Sequence, residues 1–180
     1  MKISEQLNVS IDYHPYHQSL NKKLLKDESV ANYHVDEVKH GDTALFSSAR
    51  TTSKNIDLVS SWVQSLIYKH YPYLNDSYHN DQLPQPRTWP RWFVRYRVGD
   101  ETKPHNHFPG LLSWVYFVKC PKGSSPLIFT NSGKRIKAEE GKVVIFPAIA
   151  NHHVPKNRCD GRIALAGNVD VNLKSVHSFK

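Results

Sequence analysis

Three groups of residues in the second half of the 180-residue chain could carry metal and anion chemistry: His105-Asn106-His107, His152-His153-Val154-Pro155, and Arg162. In an extended segment residues i and i+2 project from one face, so the imidazoles of His105 and His107 can reach one cation at about 2.0–2.2 Å. With 11 histidines in the chain, a pair two apart is a common accident, and the surrounding pattern has to supply the rest. Adjacent residues of an extended segment face opposite ways, so only one of His152 and His153 can join the pair. The same alternation puts Arg162, Ala164, Ala166 and Asn168 on one face, with Ile163 and Leu165 on the other. An arginine between small side chains on an inward face is costly unless an anion pairs with it, and the alanines leave room for a slender one. The competing reading pairs Arg162 with a protein carboxylate or turns it to solvent.

These residues must be held by strands. Trp92 to Val98 alternates, so that Trp92, Val94, Tyr96 and Val98 share one face and Arg95 and Arg97 the other, and Gly99-Asp100 supplies a turn. Apolar runs follow at Leu111 to Cys120, Leu127 to Phe129, Val143 to Phe146 behind the Glu140-Gly141 turn, and Ile163 to Val171. Short strands punctuated by Gly and Pro predict a sandwich or a rolled-up barrel. Upstream, Val9 and Ile11 suggest a short strand, and Leu20, Leu24 and Leu25 one or two helical turns. Ile56, Val59, Val63, Leu66 and Ile67 have helical spacing over Asn55 to Tyr71, with Ser53 or Asn55 as cap and Pro72 as stop. Between Leu74 and Arg91 the chain turns polar and proline-rich around Trp89, which predicts a long loop and makes Trp89 a candidate lid over a substrate. His14, His17, His34 and His40 lie among polar residues without ligand-like pairing and are expected at the surface.

The order of these motifs resembles the iron(II)- and 2-oxoglutarate-dependent oxygenases. The resemblance rests on Tyr96-x-x-Gly99, His105-x-His107, Leu112-Ser113-Trp114-Val115-Tyr116, Gly141 to Pro147, His152-x-Val154 and Arg162, over roughly residues 92 to 170. It is greatest to small oxygenases whose first motif reads His-x-His and whose next strand reads Leu-Ser-Gly-Val-Tyr-Tyr. The resemblance implies a mainly β fold with supporting helices, a cupin-like double-stranded β-helix or jelly roll. A single domain over residues 1–180 is expected, with N-terminal helical support to about residue 75 and a jelly-roll core from about 90 to 172. It further implies Fe(II) held by His105, His107 and His152, with His152 preferred to His153 because it keeps the His-x-Val spacing. Arg162 then binds the far carboxylate of 2-oxoglutarate beside Tyr96, and Tyr116 and Asn168 are further candidates for that pocket. The implied reaction is hydroxylation of an unidentified substrate by O2, with succinate and CO2 as co-products; related domains act on prolines in peptides, nucleobases and small metabolites.

Three departures from the pattern stand out: His107 where a carboxylate usually completes a facial triad, Trp114 in place of glycine, and Ala164 in place of serine. A third histidine leaves the site one unit more positive and opens an alternative, a three-histidine cupin-like dioxygenase that does not use 2-oxoglutarate. The formal net charge of +8 supports a second alternative, a non-catalytic basic module on an oxygenase-like scaffold that binds nucleic acid or another acidic partner. Lysine and arginine are spread along the chain, however, as on a solvated basic surface. No apolar run has the length of a membrane span and the first residues lack the apolar core of a signal peptide, so a cytoplasmic protein is expected. Cys120 and Cys159 form no metal motif and are expected as free thiols.

Overall fold

The long apolar runs pair into the larger of two antiparallel sheets in the computed structural model, which describes residues 7–29, 53–72, 74 and 86–171. That sheet has the order β1-β7-β4-β9-β2, with β1 at Ser10–Tyr13, β2 at Pro86–Tyr96, β4 at Leu112–Lys119, β7 at Lys142–Pro147 and β9 at Arg162–Val171. The smaller sheet has the order β3-β8-β5-β6, from β3 (Thr102–His105), β8 (His152–Val154), β5 (Leu127–Phe129) and β6 (Arg135–Ile136). The architecture is a jelly roll with supporting helices, as the resemblance implied; the one or two helical turns expected around Leu20, Leu24 and Leu25 are instead a 13-residue helix, His17–Ser29.

Alternation along the strands builds two cores. On β4 the side chains of Leu112, Trp114, Tyr116 and Val118 join Leu20 and Leu24 of α1 (His17–Ser29) and the stripe Ile56, Val59, Val63, Leu66 and Ile67 of α2 (Lys54–His70). Val115 and Phe117, one step out of phase, face the space between the sheets with Val94, Leu127, Val144, Phe146 and Val154. Each such aliphatic or aromatic side chain contributes about 1.5–3 kcal/mol when fully buried. Ser53 caps α2, its hydroxyl accepting the Ile56 N–H at 3.1 Å, and the helix ends at Tyr71 ahead of Pro72.

Arginines of β2 pin the helices to the sheet. Arg91 donates to Asp57 at 2.7 Å and to the Ser60 hydroxyl at 2.9 Å on α2, and Arg95 donates to Glu28 of α1 at 2.7 Å. The face opposite Trp92, Val94 and Tyr96 is therefore the helix-facing side of the sheet. Val98 does not continue the inner face: it lies beyond the end of β2 and is exposed.

The expected loop from Leu74 to Arg91 needs correction at its second end, because Pro86 to Arg91 belongs to β2 and pairs with β9. Its prolines are compatible with a strand because β2 is at the end of the sheet order and the register shifts between Thr88 and Arg91, where Pro90 sits. Residues 75–85, where the rest of the lid was expected, lie outside the described residues, as do His34, His40 and the side chain of Trp89. Trp114, where glycine was expected, is opposite Gly167 in the β4–β9 register, and a Cβ on Gly167 would lie 2.5 Å from the indole Cζ2. The glycine that makes room for the ring comes from the neighbouring strand.

Candidate metal centre and adjoining cavity

His105 is the last residue of β3 and stands opposite His152, the first residue of β8. His107 follows two residues later, its main-chain N–H bonded to the carbonyl of Ala148 at 2.8 Å. One ring nitrogen from each of the three histidines lies within 4.8 Å of the others. His152 is buried and turned inward, whereas His153 points away, its Nδ1 2.9 Å from the Thr130 hydroxyl. The parity of an extended segment separates these neighbours.

Two of the rings are oriented by carbonyl groups. The Nδ1 of His105 lies 2.8 Å from the Lys103 carbonyl and the Nδ1 of His152 lies 2.9 Å from that of Ala150. Donation there fixes the tautomer and leaves each Nε2 lone pair for a cation. Burial lowers the pKa of all three imidazoles: His107 to about 4, helped by His105, and His152 to about 3, helped by His105 and by its other histidine neighbours. The cluster is therefore neutral at pH 7, the state in which imidazole binds metal. Nitrogen donors of this kind suit Fe(II), Zn(II), Cu(II) or Ni(II).

Behind the cluster a cavity of about 50 Å3 runs between the sheets, lined among others by Trp92, Val94, Tyr96, Thr102, Ala164 and Arg162. Arg162 is 1% exposed, and its Nε and Nη1 have no hydrogen-bond partner among the described residues. Its guanidinium carbon lies 4.3 Å from the centre of the Tyr96 ring and 5.5 Å from that of Phe117. Aromatic faces attract the cation without satisfying its N–H groups. The alternative of an outward arginine does not hold, and among the described residues no carboxylate pairs with it: the side chain points inward beside Ala164 and Ala166 on the cavity wall.

The remaining candidates divide. Tyr96 lines the cavity, and its hydroxyl is 2.7 Å from that of Thr102, a residue the sequence reading did not single out. Asn168 shares the face of Arg162, but its Oδ1 accepts from Ser113 at 3.0 Å, and Ser113 is the residue that reaches the cavity. Tyr116 does not line it. Its side chain points to the helices and donates to Asn21 Oδ1 at 2.7 Å, so its expected place in the pocket is corrected by strand parity. Alternation places Trp92 on the inner face of the sheet, and its ring centre is 5.9 Å from that of His107. The two cysteines are free.

No family model matches the sequence, and no curated protein matches it. Solved structures do. A viral collagen prolyl hydroxylase from Paramecium bursaria Chlorella virus-1, in complex with 2-oxoglutarate, superposes with a TM-score of 0.66 at 11% identity, covering 89% of this chain and 94% of the viral one. This chain shares the fold of that structure. A Pseudomonas putida prolyl-4-hydroxylase gives a TM-score of 0.60 at 14% identity over 90% of this chain and 91% of its own. A Trichoplax adhaerens prolyl hydroxylase, bound to a peptide fragment of a hypoxia-inducible factor degradation domain, gives 0.61 at 14% identity over 96% and 87%. The resemblance read from the motifs thus extends to the architecture of nearly the whole chain.

Proposed function

We propose that the protein is an Fe(II)- and 2-oxoglutarate-dependent oxygenase that hydroxylates a macromolecular, most simply peptidyl, substrate. The observation that carries this reading is the buried Arg162, whose Nε and Nη1 have no partner among the described residues, in a cavity lined by the three-histidine cluster. A buried guanidinium with no carboxylate partner among the described residues calls for an anion, and the histidines at the same cavity call for a cation. A 2-oxodicarboxylate meets both demands in one molecule. The peptidyl substrate is supported by the peptide complex of the Trichoplax adhaerens enzyme.

In this reading His105, His107 and His152 hold the iron and leave the rest of its coordination to ligands from solution. Bound Fe(II) supplies the activation of O2, coupled to decarboxylation of 2-oxoglutarate to succinate and CO2, that drives hydroxylation of a C–H bond. Arg162 takes the far carboxylate, with the Tyr96 and Phe117 rings holding the guanidinium in place and Thr102 fixing the Tyr96 hydroxyl. Val94, Val115 and Phe146 wall the cavity with apolar surface that excludes water. Ala164 and Ala166 leave width for a slender chain. Succinate formation from 2-oxoglutarate, Fe(II) and O2 tests the reaction. Arg162→Ala is expected to raise the KM for 2-oxoglutarate by about 10- to 100-fold, the equivalent of 1.5–3 kcal/mol for a charge-assisted pair, with the fold retained. A folded variant with an unchanged KM contradicts the assignment.

One observation favours a second reading, a three-histidine dioxygenase that consumes no 2-oxoglutarate: His107 is placed as a third nitrogen donor where a carboxylate is usual. Arg162 would then bind an acidic substrate directly. Oxygen uptake with an organic acid and without succinate would select that version.

A further inference from the structure

The paired rungs between β3 and β8 end at His105↔His152. Those two ligands sit on strands and have their rings oriented by carbonyls, but His107 lies past the end of β3. A pair of side chains continues the connection. The Nδ2 of Asn106 donates to Asn151 Oδ1 at 3.0 Å, and the Oδ1 of the same amide accepts the N–H of Phe108 at 3.1 Å. One carboxamide therefore ties the residue between two ligands to the residue that precedes the third, and it also closes the turn that carries His107. Asn151 is anchored on its own side, its carbonyl accepting the Thr130 N–H at 2.8 Å. The arrangement needs a donor and an acceptor on one short side chain, which asparagine has and aspartate lacks.

We propose that Asn106 is a positioning residue for the three-histidine cluster and Asn151 its partner, the pair setting His107 against His105 and His152 so that all three can take one divalent cation. The proposal rests on the metal-site reading above. Groups that orient metal ligands from outside the coordination sphere typically govern 10- to 100-fold in metal affinity.

The test is Co(II) affinity of the full chain, read from the visible absorption of the bound ion and by chelator competition, beside thermal unfolding of each metal-free variant. Asn106→Ala and Asn151→Ala are each expected to bind Co(II) about tenfold more weakly with an unchanged unfolding midpoint. The double variant is expected to lose little more than either single one, because both remove the same bond. Asn106→Ser keeps a hydroxyl that can accept from Phe108 and is expected to fall between wild type and Asn106→Ala; it also serves as the readout if the alanine variant does not fold. Equal affinities throughout, or losses that simply multiply in the double variant, overturn the clasp and leave the metal site standing. A wild-type chain that binds no Co(II) overturns both.

Discussion

Tyr96 and Tyr116 carry the same functional group in the same sheet, and only Tyr96 reaches the cavity. Tyr116 is on the helix side, where its hydroxyl donates to Asn21 while the Asn21 amide donates to the Val118 carbonyl at 2.8 Å. Tyr116→Phe is expected to destabilise the protein by about 1–3 kcal/mol, since Asn21 loses a buried partner, and to leave the KM for 2-oxoglutarate unchanged. Chemical denaturation and succinate kinetics read the two effects separately. The sequence could not place this tyrosine because Leu111 to Cys120 is apolar on both faces, and a strand buried on both sides has no polar alternation from which to read direction. Arg162 was legible because alanines alternate with bulky residues around it. Cys120 shows a similar dominance of burial, which pushes its thiol up to about 12 against the opposing effect of Arg162. The thiolate is the reactive form, so alkylation of Cys120 is expected to be slow at pH 8 and to keep rising through pH 10. Mass spectrometry of the labelled peptide measures it, and a rate that levels off below pH 9 contradicts the protonated thiol.

At the scale of elements, the sequence revealed the large sheet and hid most of the small one. Its strands are short, and two of them carry histidines of the candidate metal centre: β3 reads Thr-Lys-Pro-His and β8 reads His-His-Val. Neither shows a run of apolar residues long enough to signal a strand, so the three histidines were legible from their spacing together with the family resemblance, and the strands that hold them were not. Pro86 to Arg91 departs from the expected loop for the opposite reason, since prolines that signal a loop are tolerated at an irregular strand on a sheet border. The exchange between Trp114 and Gly167 is a pairing property that no single strand displays. A methyl group on Gly167 would meet Cζ2, Cε2 and Nε1 of the indole at 2.5, 2.6 and 2.8 Å. Gly167→Ala is accordingly expected to cost about 1–3 kcal/mol by overpacking, and Trp114→Leu in the same chain to recover part of that loss. Thermal unfolding of the two single variants and the double one gives the coupling; purely additive losses would show that the ring and the glycine do not interact.

For the whole molecule, the three histidines join β3, the segment that follows it and β8, so a bound cation fastens one end of the small sheet. Any ligand that binds only the folded chain stabilises it, by about 2.7 kcal/mol at 100 times its Kd. Thermal unfolding is therefore expected at higher temperature with saturating Co(II), reversibly by chelator, and His152→Ala is expected to abolish the shift; no shift in the wild-type chain contradicts a preformed site. The three histidines belong to the small sheet and its continuation, whereas Arg162 belongs to the large one. A molecule held at both ends crosses the sandwich, and the spacing of the two sheets, about 10 Å in packed β layers, becomes its measuring gauge. Under the proposed function, selection for the length of a diacid is then set by the thickness of the fold rather than by one side chain. Oxaloacetate, one carbon short, and 2-oxoadipate, one carbon long, should both compete poorly with 2-oxoglutarate, each failing at the sheet it cannot reach or cannot fit.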